Sequence, residues 1–434
     1  MMRTYFFQFL TLLLSGMLVA GAQYLAPLAH AETAVELKAK ISSKTDEIKK
    51  IEAEIKKYQE DLDVIGAQKQ TLKTSIAELN LTRKKLEADI RATQAKVEST
   101  NFTIAKLGSN IVDKEGKIDS RKRALIEALR VVYENDTRSL LEVALSEDSF
   151  SDFWNDAELL NQFGDEIYSN VVELKSIKAG LEQEEKRRQE EKRTLLGLKT
   201  ELGDRNKIVV DNKNQKSRLL TQTNSQETTY KKILKEKIAL KEAFEQELRD
   251  YESTLKFILD PSLIPPRGAK VFLPPLDKVL LTQKFGKSDA TNGSGQRLYA
   301  SGTHNGIDFR ASLGTQVKAM KGGIVLGSGD TDLACPGASF GKWVLVDHEN
   351  GLASIYAHLS LIKATAGDKV VTGQVIGYSG NTGYSTGPHL HVSVYASSGV
   401  KIETRPSKSC QGRSYTMPLA AINAYLDPLD YLVL

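Results

Sequence analysis

Gly383-Tyr384-Ser385-Thr386-Gly387-Pro388-His389-Leu390-His391 is the stretch that decides how the second half of this chain is read. Its glycines and proline mark a loop, and the loop feeds straight into a His-Leu-His run. Side chains two apart on a strand point the same way, so His389 and His391 project together from an extended segment. Two short motifs precede it, His304-Asn305-Gly306-Ile307-Asp308 and Tyr356-Ala357-His358-Leu359. The three motifs hold four of the chain's six histidines, leaving only His30 and His348 elsewhere. His304 and Asp308, four apart, share a face in either strand or helix geometry. Histidine is the commonest metal ligand and the usual acid–base group near neutral pH. Two His and one Asp satisfy a catalytic zinc site with an open position, and they leave a net charge that acidifies water there. The remaining histidines can accept a proton or, as imidazolium, steady an oxyanion. Spacing leaves open which member of the His389/His391 pair is ligand and which is base.

Around these motifs the chain reads as β. Short β-rich runs at 279–285, 323–326, 343–347, 352–357, 375–378 and 389–395 are bounded by Gly, Asn or Ser. Proline divides this region sharply from what precedes it: none occurs between Pro27 and Pro261. Asp260-Pro261-Ser262-Leu263-Ile264-Pro265-Pro266 marks the boundary, because proline cannot continue a helix. The expected organisation is residues 1–31 as a leader, 32–260 as helix, 261–267 as a stiff linker and 268–434 as the β domain.

The helical part carries heptads. Ile41, Ile48, Ile55, Leu62, Ile76, Ile90, Val97, Ile104 and Ile111 recur at one seam position, with Ile51, Tyr58, Ile65, Leu72, Leu79, Leu86 and Leu107 at the other. One register over about ninety residues would make roughly 135 Å of helix. A second run, from Leu160 through Leu202 and Tyr230 to Ile258, is of similar length, so an antiparallel hairpin is expected, with an intermolecular coiled coil as the alternative. Lys69 and Arg83 interrupt the first seam. Residues 182–193 and 205–215 make the second polar, and both are expected to be hinges or helix breaks. Between the runs, near 135–158, aromatic and apolar residues gather at the expected tip. Leu140, Leu141, Phe150, Phe153 and Trp154 there suggest a partner-docking surface or a local closing core.

The first 31 residues contain no acid, an apolar run from about Tyr5, and Ala29-His30-Ala31, which reads as a secretory signal or a retained anchor. Export to the cell wall or periplasm is therefore expected. In that setting the chain's two cysteines, Cys335 and Cys410, are expected to pair. The β part is mildly basic, which suits an anionic polymer. Dispersed lysines and the leader argue against nucleic acid.

The three histidine motifs resemble the LytM/lysostaphin-type zinc endopeptidases, over roughly 273–395. The resemblance implies a β-sandwich-like metallopeptidase domain, Zn2+ held by His304, Asp308 and His391, and catalysis by His358 and His389. The implied substrate is peptidoglycan, cut at its peptide crosslinks. The layout of leader, long coiled coil and this domain also resembles murein hydrolases of the EnvC and PcsB type. That resemblance implies a coiled coil that restrains the enzyme and docks by its tip on an FtsE–FtsX-like membrane complex during cell separation. Some EnvC-like members lack site residues and act only as activators or scaffolds, the alternative for this chain. All five residues are present here. The segment 330–337 and the tail from Ser407 are additions to the minimal pattern.

Overall fold

A computed structural model describes residues 34–66, 71–135, 150–288, 302–337, 339–385 and 387–434. The expected leader, and Leu140 and Leu141 of the expected tip, lie outside the described residues. Among the described residues four helices come first: α1 (Ala34–Gly66), α2 (Leu72–Asn135), α3 (Phe150–Thr223) and α4 (Glu227–Thr254). Phe150, Phe153 and Trp154 fall in the first turns of α3. The chain divides into two compact units, one containing Val97–Leu196 with the chain up to Asp46, the other Glu47–Lys96 with Gly197–Leu434.

In the first unit α2 and α3 are antiparallel. Lys114 Nζ lies 3.2 Å from Glu184, and Arg121 reaches both Asn170 (2.7 Å) and Glu173 (2.5 Å). Leu107 and Ile111 are buried, as their heptad positions require. Lys44 pairs with Glu98 at 2.6 Å, so α1 also lies against α2.

Two expectations are overturned. The first heptad run is not one helix: α1 ends at Gly66 and α2 starts afresh at Leu72. The reason is a reciprocal cap. Thr71 Oγ1 accepts from Thr74 N (3.1 Å), Thr74 Oγ1 accepts from Thr71 N (2.8 Å), and Glu227 Oε2 takes Leu72 N (2.8 Å). In the second unit Glu54 meets Arg91 and Glu52 meets Lys96, so α1 runs back along α2. The second run, in turn, does not break at 182–193 or 205–215. It breaks at Asn224-Ser225, whose φ values of 47° and 57° are left-handed; Asn tolerates this conformation locally. Ile258, expected in the seam, lies beyond α4 and is 91% exposed.

The polar stretch of α3 meets the β part. Ile208 and Val209 are buried with Leu86 of α2 and with Leu313 and Tyr378 of the β part. Asp204 Oδ2 accepts from Lys363 Nζ (2.8 Å) and Tyr378 OH (3.3 Å), and Asp211 lies 3.9 Å from Lys342. Charges that weaken a coiled coil here attach α3 to the β part.

Ten strands build that part: β1 (Leu281–Gln283), β2 (Ile307–Arg310), β3 (Gln316–Lys318), β4 (Gly323–Asp330), β5 (Lys342–Asp347), β6 (Leu352–Ile362), β7 (Val375–Ser379), β8 (His389–Ala396), β9 (Val400–Pro406) and β10 (Ser414–Ala420). Two-residue strands supplement them. The main sheet is antiparallel in the order β1-β2-β8-β6-β5-β4, with β7 bridging β6 and β3. Alternation splits its residues between two cores. Ile307, Phe309, Val344, Tyr356, Leu390 and Val392 face one. Trp343, Leu345, Ile355, Ala357 and Tyr395 face the other, which the β9–β10 ribbon covers.

The second core extends beyond the expected boundary at 268. Phe244 of α4 is fully buried in it and meets Tyr415 edge-on at 5.0 Å. Glu247 accepts from Ser407 Oγ and from the backbone of Lys408 and Ser409. Cys335 and Cys410 are joined by a disulfide inside the same core, closing 75 residues. Such a loop contributes about 4 kcal/mol in the chain-entropy account.

Glu252 of α4 sets a pH dependence. Burial pushes its carboxyl up from 4.5 to about 7, although Tyr425 OH donates to it at 2.8 Å. A raised folded value favours the native state below the unfolded pKa, and that stability is lost as pH rises through about 7. Two and a half units correspond to about 3 kcal/mol at most. Between pH 5 and 8 the native chain is expected to lose most of that increment relative to Glu252→Gln in urea titrations. Parallel stability curves for the two chains would refute it.

Candidate metal centre and flanking bases

Each site residue is placed by its strand. Asp308 on β2 and His391 on β8 are directly paired across the antiparallel ladder. Ile307, Phe309, Leu390 and Val392 fill the first core, so Asp308, His389 and His391 point to the opposite face. His358 reaches that face by a bulge. Val344 pairs with Tyr356 but Lys342 with Leu359, so β6 carries one extra residue. His358 sits there at φ 59°, a strained conformation for a non-glycine. The bulge lets Tyr356 and Leu359 both face the first core while His358 joins His391, the re-aiming that bulges accomplish.

His304 does not share a strand with Asp308. It ends a two-residue strand, Thr303–His304, and Asn305-Gly306 intervene before β2. Gly306 is obligatory: a Cβ there would lie 2.4 Å from Val392 O and 2.7 Å from His391 Cε1. The turn brings His304 Nε2 within 3.4 Å of Asp308 Oδ1 and 3.1 Å of His391 Nδ1. Asp308 Oδ1 and His391 Nδ1 are 2.9 Å apart.

The other ring nitrogens fix the tautomers. His304 Nδ1 donates to Lys284 O (3.1 Å), so Nε2 offers a lone pair. With the His391 proton on Nε2, toward Ser393 Oγ at 2.9 Å, Nδ1 offers another. Burial lowers the His391 pKa and so favours its neutral, ligating form, although Asp308 opposes this. For Asp308 burial alone would raise the pKa, but the His304 and His391 rings against it hold it well below 3.8. Three acceptor atoms therefore converge in a buried site. Bonds of about 2.0–2.1 Å at tetrahedral angles place ligands roughly 3.3 Å apart. The donor set fits a Zn2+-like cation, and His304, Asp308 and His391 are the one such group among the described residues.

Two further imidazoles flank it. His358 Nδ1 donates to Thr382 O (2.9 Å), which turns Nε2 toward the site. Burial, followed by the neighbouring His389 and His391, pushes its pKa well below 6.5. His389 Nδ1 donates to Gly387 O (2.8 Å), an oxygen that also takes Ser385 Oγ–H (2.6 Å). Its Nε2 lies 3.7 Å from Asp308 Oδ1, and the His358 and His389 rings are 4.6 Å apart.

Several supporting residues escaped the sequence reading. Alternation alone could have flagged Ser393, two residues after His391. The carbonyls of Lys284 and Thr382 carry no side-chain signal. The 330–337 segment is a strut: Asp332 accepts from Gly337 N (2.7 Å) and Gly383 N (2.8 Å), steadying the loop before His389. His348 is structural, packed on Phe272 with Nε2 against Ser354 Oγ, and burial drops its pKa to about 4. Tyr356 is likewise a core residue whose hydroxyl takes Met320 N.

This is a constellation of two His and one Asp that could hold a metal ion, with two imidazoles beside it, on an antiparallel sheet. Residues 302–404 match Peptidase family M23, so this part of the chain carries a Peptidase M23 domain. Glycyl-glycine endopeptidase ALE-1 of Staphylococcus capitis is 42% identical over 90 residues, 21% of this chain and 24% of that protein. Peptidoglycan DD-endopeptidase ShyA of Vibrio cholerae is 43% identical over 88 residues, 20% of this chain and 19% of that one. The catalytic domain of the prophage-encoded M23 protein EnpA from Enterococcus faecalis, solved as a point mutant, is 30% identical. That match covers 29% of this chain and 88% of that one, at a TM-score of 0.24. The chain thus spans about a third or less of the length of the curated relatives it matches.

Proposed function

We propose that this chain is an exported zinc endopeptidase that hydrolyses peptide bonds in peptidoglycan. The observation that carries the reading is the convergence of His304 Nε2, Asp308 Oδ1 and His391 Nδ1 beside two imidazoles with outward Nε2 atoms. A bound Zn2+ would supply Lewis acidity, lowering the pKa of water and polarising a carbonyl. The chain supplies the proton traffic. His358, kept neutral by burial, takes a proton from the attacking water. His389 faces the same space and, once it carries a proton on Nε2, steadies the developing oxyanion or protonates the leaving amine. The names of ALE-1 and ShyA support peptidoglycan as substrate. The presence of all five residues favours an enzyme over a non-catalytic activator. The apolar leader supports export, to the cell wall or periplasm.

The reading includes restraint. Leu86, Ile208 and Asp204 attach α2 and α3 to Leu313, Tyr378 and Lys363. Tyr378 is two residues from Gly380, which bridges to His389. Helices anchored this close to the site can govern access to it. Release would come from an FtsX-like membrane partner captured near 135–158.

Dye-labelled sacculi test the activity. The full chain is expected to release dye, to stop with a chelator and to recover with added Zn2+. Chelator-insensitive release, or none from folded, zinc-loaded chain under any activating variant described below, would sink the reading.

A further inference from the structure

The seam between α2 and α3 departs from its apolar pattern at Arg83, which occupies the column of Ile76 and Ile90. Here the helices leave a cavity of about 290 Å3, bordered by Leu79, Asn80, Arg83, Asn212, Lys213 and Lys216. All six residues belong to the same compact unit. Asn212 is only 2% exposed, and its Nδ2 is buried without a hydrogen-bond partner. Buried donors are nearly always satisfied, so this one is open to an acceptor, water or solute, that enters from the cavity. Three cations border the same space. Lys216 Nζ donates to Asn80 Oδ1 at 2.7 Å. Arg83 has only a long contact, 3.9 Å, to the Glu87 carboxylate. A guanidinium carries five donors in a planar fork, and one distant carboxylate leaves most of that capacity unused.

Donors and positive charge therefore exceed acceptors around this half-open cavity. A cationic or apolar guest would leave them unsatisfied. An anion with several acceptor oxygens would engage Arg83, Lys213 and Asn212 together, the arrangement by which such side chains recognise phosphate. We propose that the α2–α3 cavity bordered by Arg83, Asn212, Lys213 and Lys216 is a binding site for a phosphate-type oxyanion, which bridges the two helices across the polar layers of their seam. The site explains why the heptad column of α2 admits an arginine between Ile76 and Ile90. It does not depend on the peptidase reading.

Thermal unfolding of the full chain in inorganic phosphate, against chloride at equal ionic strength, measures the effect. Phosphate at about ten times its Kd is expected to raise the melting temperature by about 4 °C. Arg83→Leu restores the apolar layer and so keeps the fold while removing the donor fork. It is expected to erase the phosphate increment, and Lys213→Gln to weaken it. Non-specific salting by phosphate stabilises all three chains alike, so the difference between them is the readout. Glycerol phosphate and vesicles containing phosphatidylglycerol distinguish a free phosphate from a lipid headgroup. Response to either soluble phosphate, lost in Arg83→Leu, supports the site, with or without vesicle capture. An equal shift in all chains, no shift in the native one, or capture by vesicles alone overturns it.

Discussion

The His391→Ala chain is expected to emerge without metal and without measurable hydrolysis, whereas His358→Ala keeps its metal and loses turnover by about 10³-fold. The difference follows from where each ring points. His391 Nδ1 sits within 3.1 Å of both His304 Nε2 and Asp308 Oδ1, so removing it opens a three-ligand site. Two protein ligands rarely retain zinc. His358 lies outside that triangle, its ring centre 5.8 Å from that of His391. Removing a positioned general base typically costs 10²- to 10⁴-fold, with ligation untouched. Ser393→Ala probes the layer behind. It deletes the partner of His391 Nε2 and is expected to weaken metal affinity about 10- to 100-fold with modest change in saturated turnover. Elemental analysis and sacculus hydrolysis on the same preparations separate the three outcomes. Equal metal loss from the His358 and His391 variants would show that the roles are misassigned.

The histidine motifs were legible because the chain is His-poor and because alternation is local. Leu390 and Val392 must face a core, which forces His389 and His391 to the other side. What could not be read was the means of convergence. His304 and Asp308 meet through a turn that Gly306 permits, not through a shared face. His358 arrives by a bulge whose extra residue shows only once β5 and β6 are paired. The helices show the same division. Their heptads identified helical segments and antiparallel packing, but a repeat continues across a reversal without changing phase. The cap formed by Thr71 and Thr74 was visible as residues, not as a break. Polar layers near Arg205 looked weak because their partners, Lys342, Lys363 and Tyr378, are more than a hundred residues away. The β boundary moved for the same reason: Phe244 has a heptad spacing, yet its neighbours are Trp343 and Tyr415.

Ile208→Asp is expected to raise sacculus hydrolysis by about 100-fold if the helices restrain the site. Ile208 is 1% exposed against Leu86, Leu313 and Tyr378. A hundredfold restraint requires the undocked form to be about 1% populated, a gap of about 2.7 kcal/mol. Burying an uncompensated carboxylate there costs several kcal/mol, more than that gap. The variant should therefore populate the undocked form, while Phe244 and Glu247 keep α4 on the β domain. Deleting everything before residue 268 would be a poorer experiment, because it strips Phe244 and Phe257 from the second core. A charge exchange guards against general unfolding. Asp204→Lys opposes Lys363 where a 2.8 Å ion pair stood, and should activate. Adding Lys363→Glu restores the attraction with reversed signs and should return activity toward that of the native chain. A partner that frees the enzyme must bind the undocked form better, since only differential affinity shifts such an equilibrium. Limited proteolysis of α3 reports docking independently of activity. If α3 becomes cleavable in Ile208→Asp and Asp204→Lys while hydrolysis stays at the native level, the helices do not restrain the site. Their attachment would then serve only to hold the β domain on its arm.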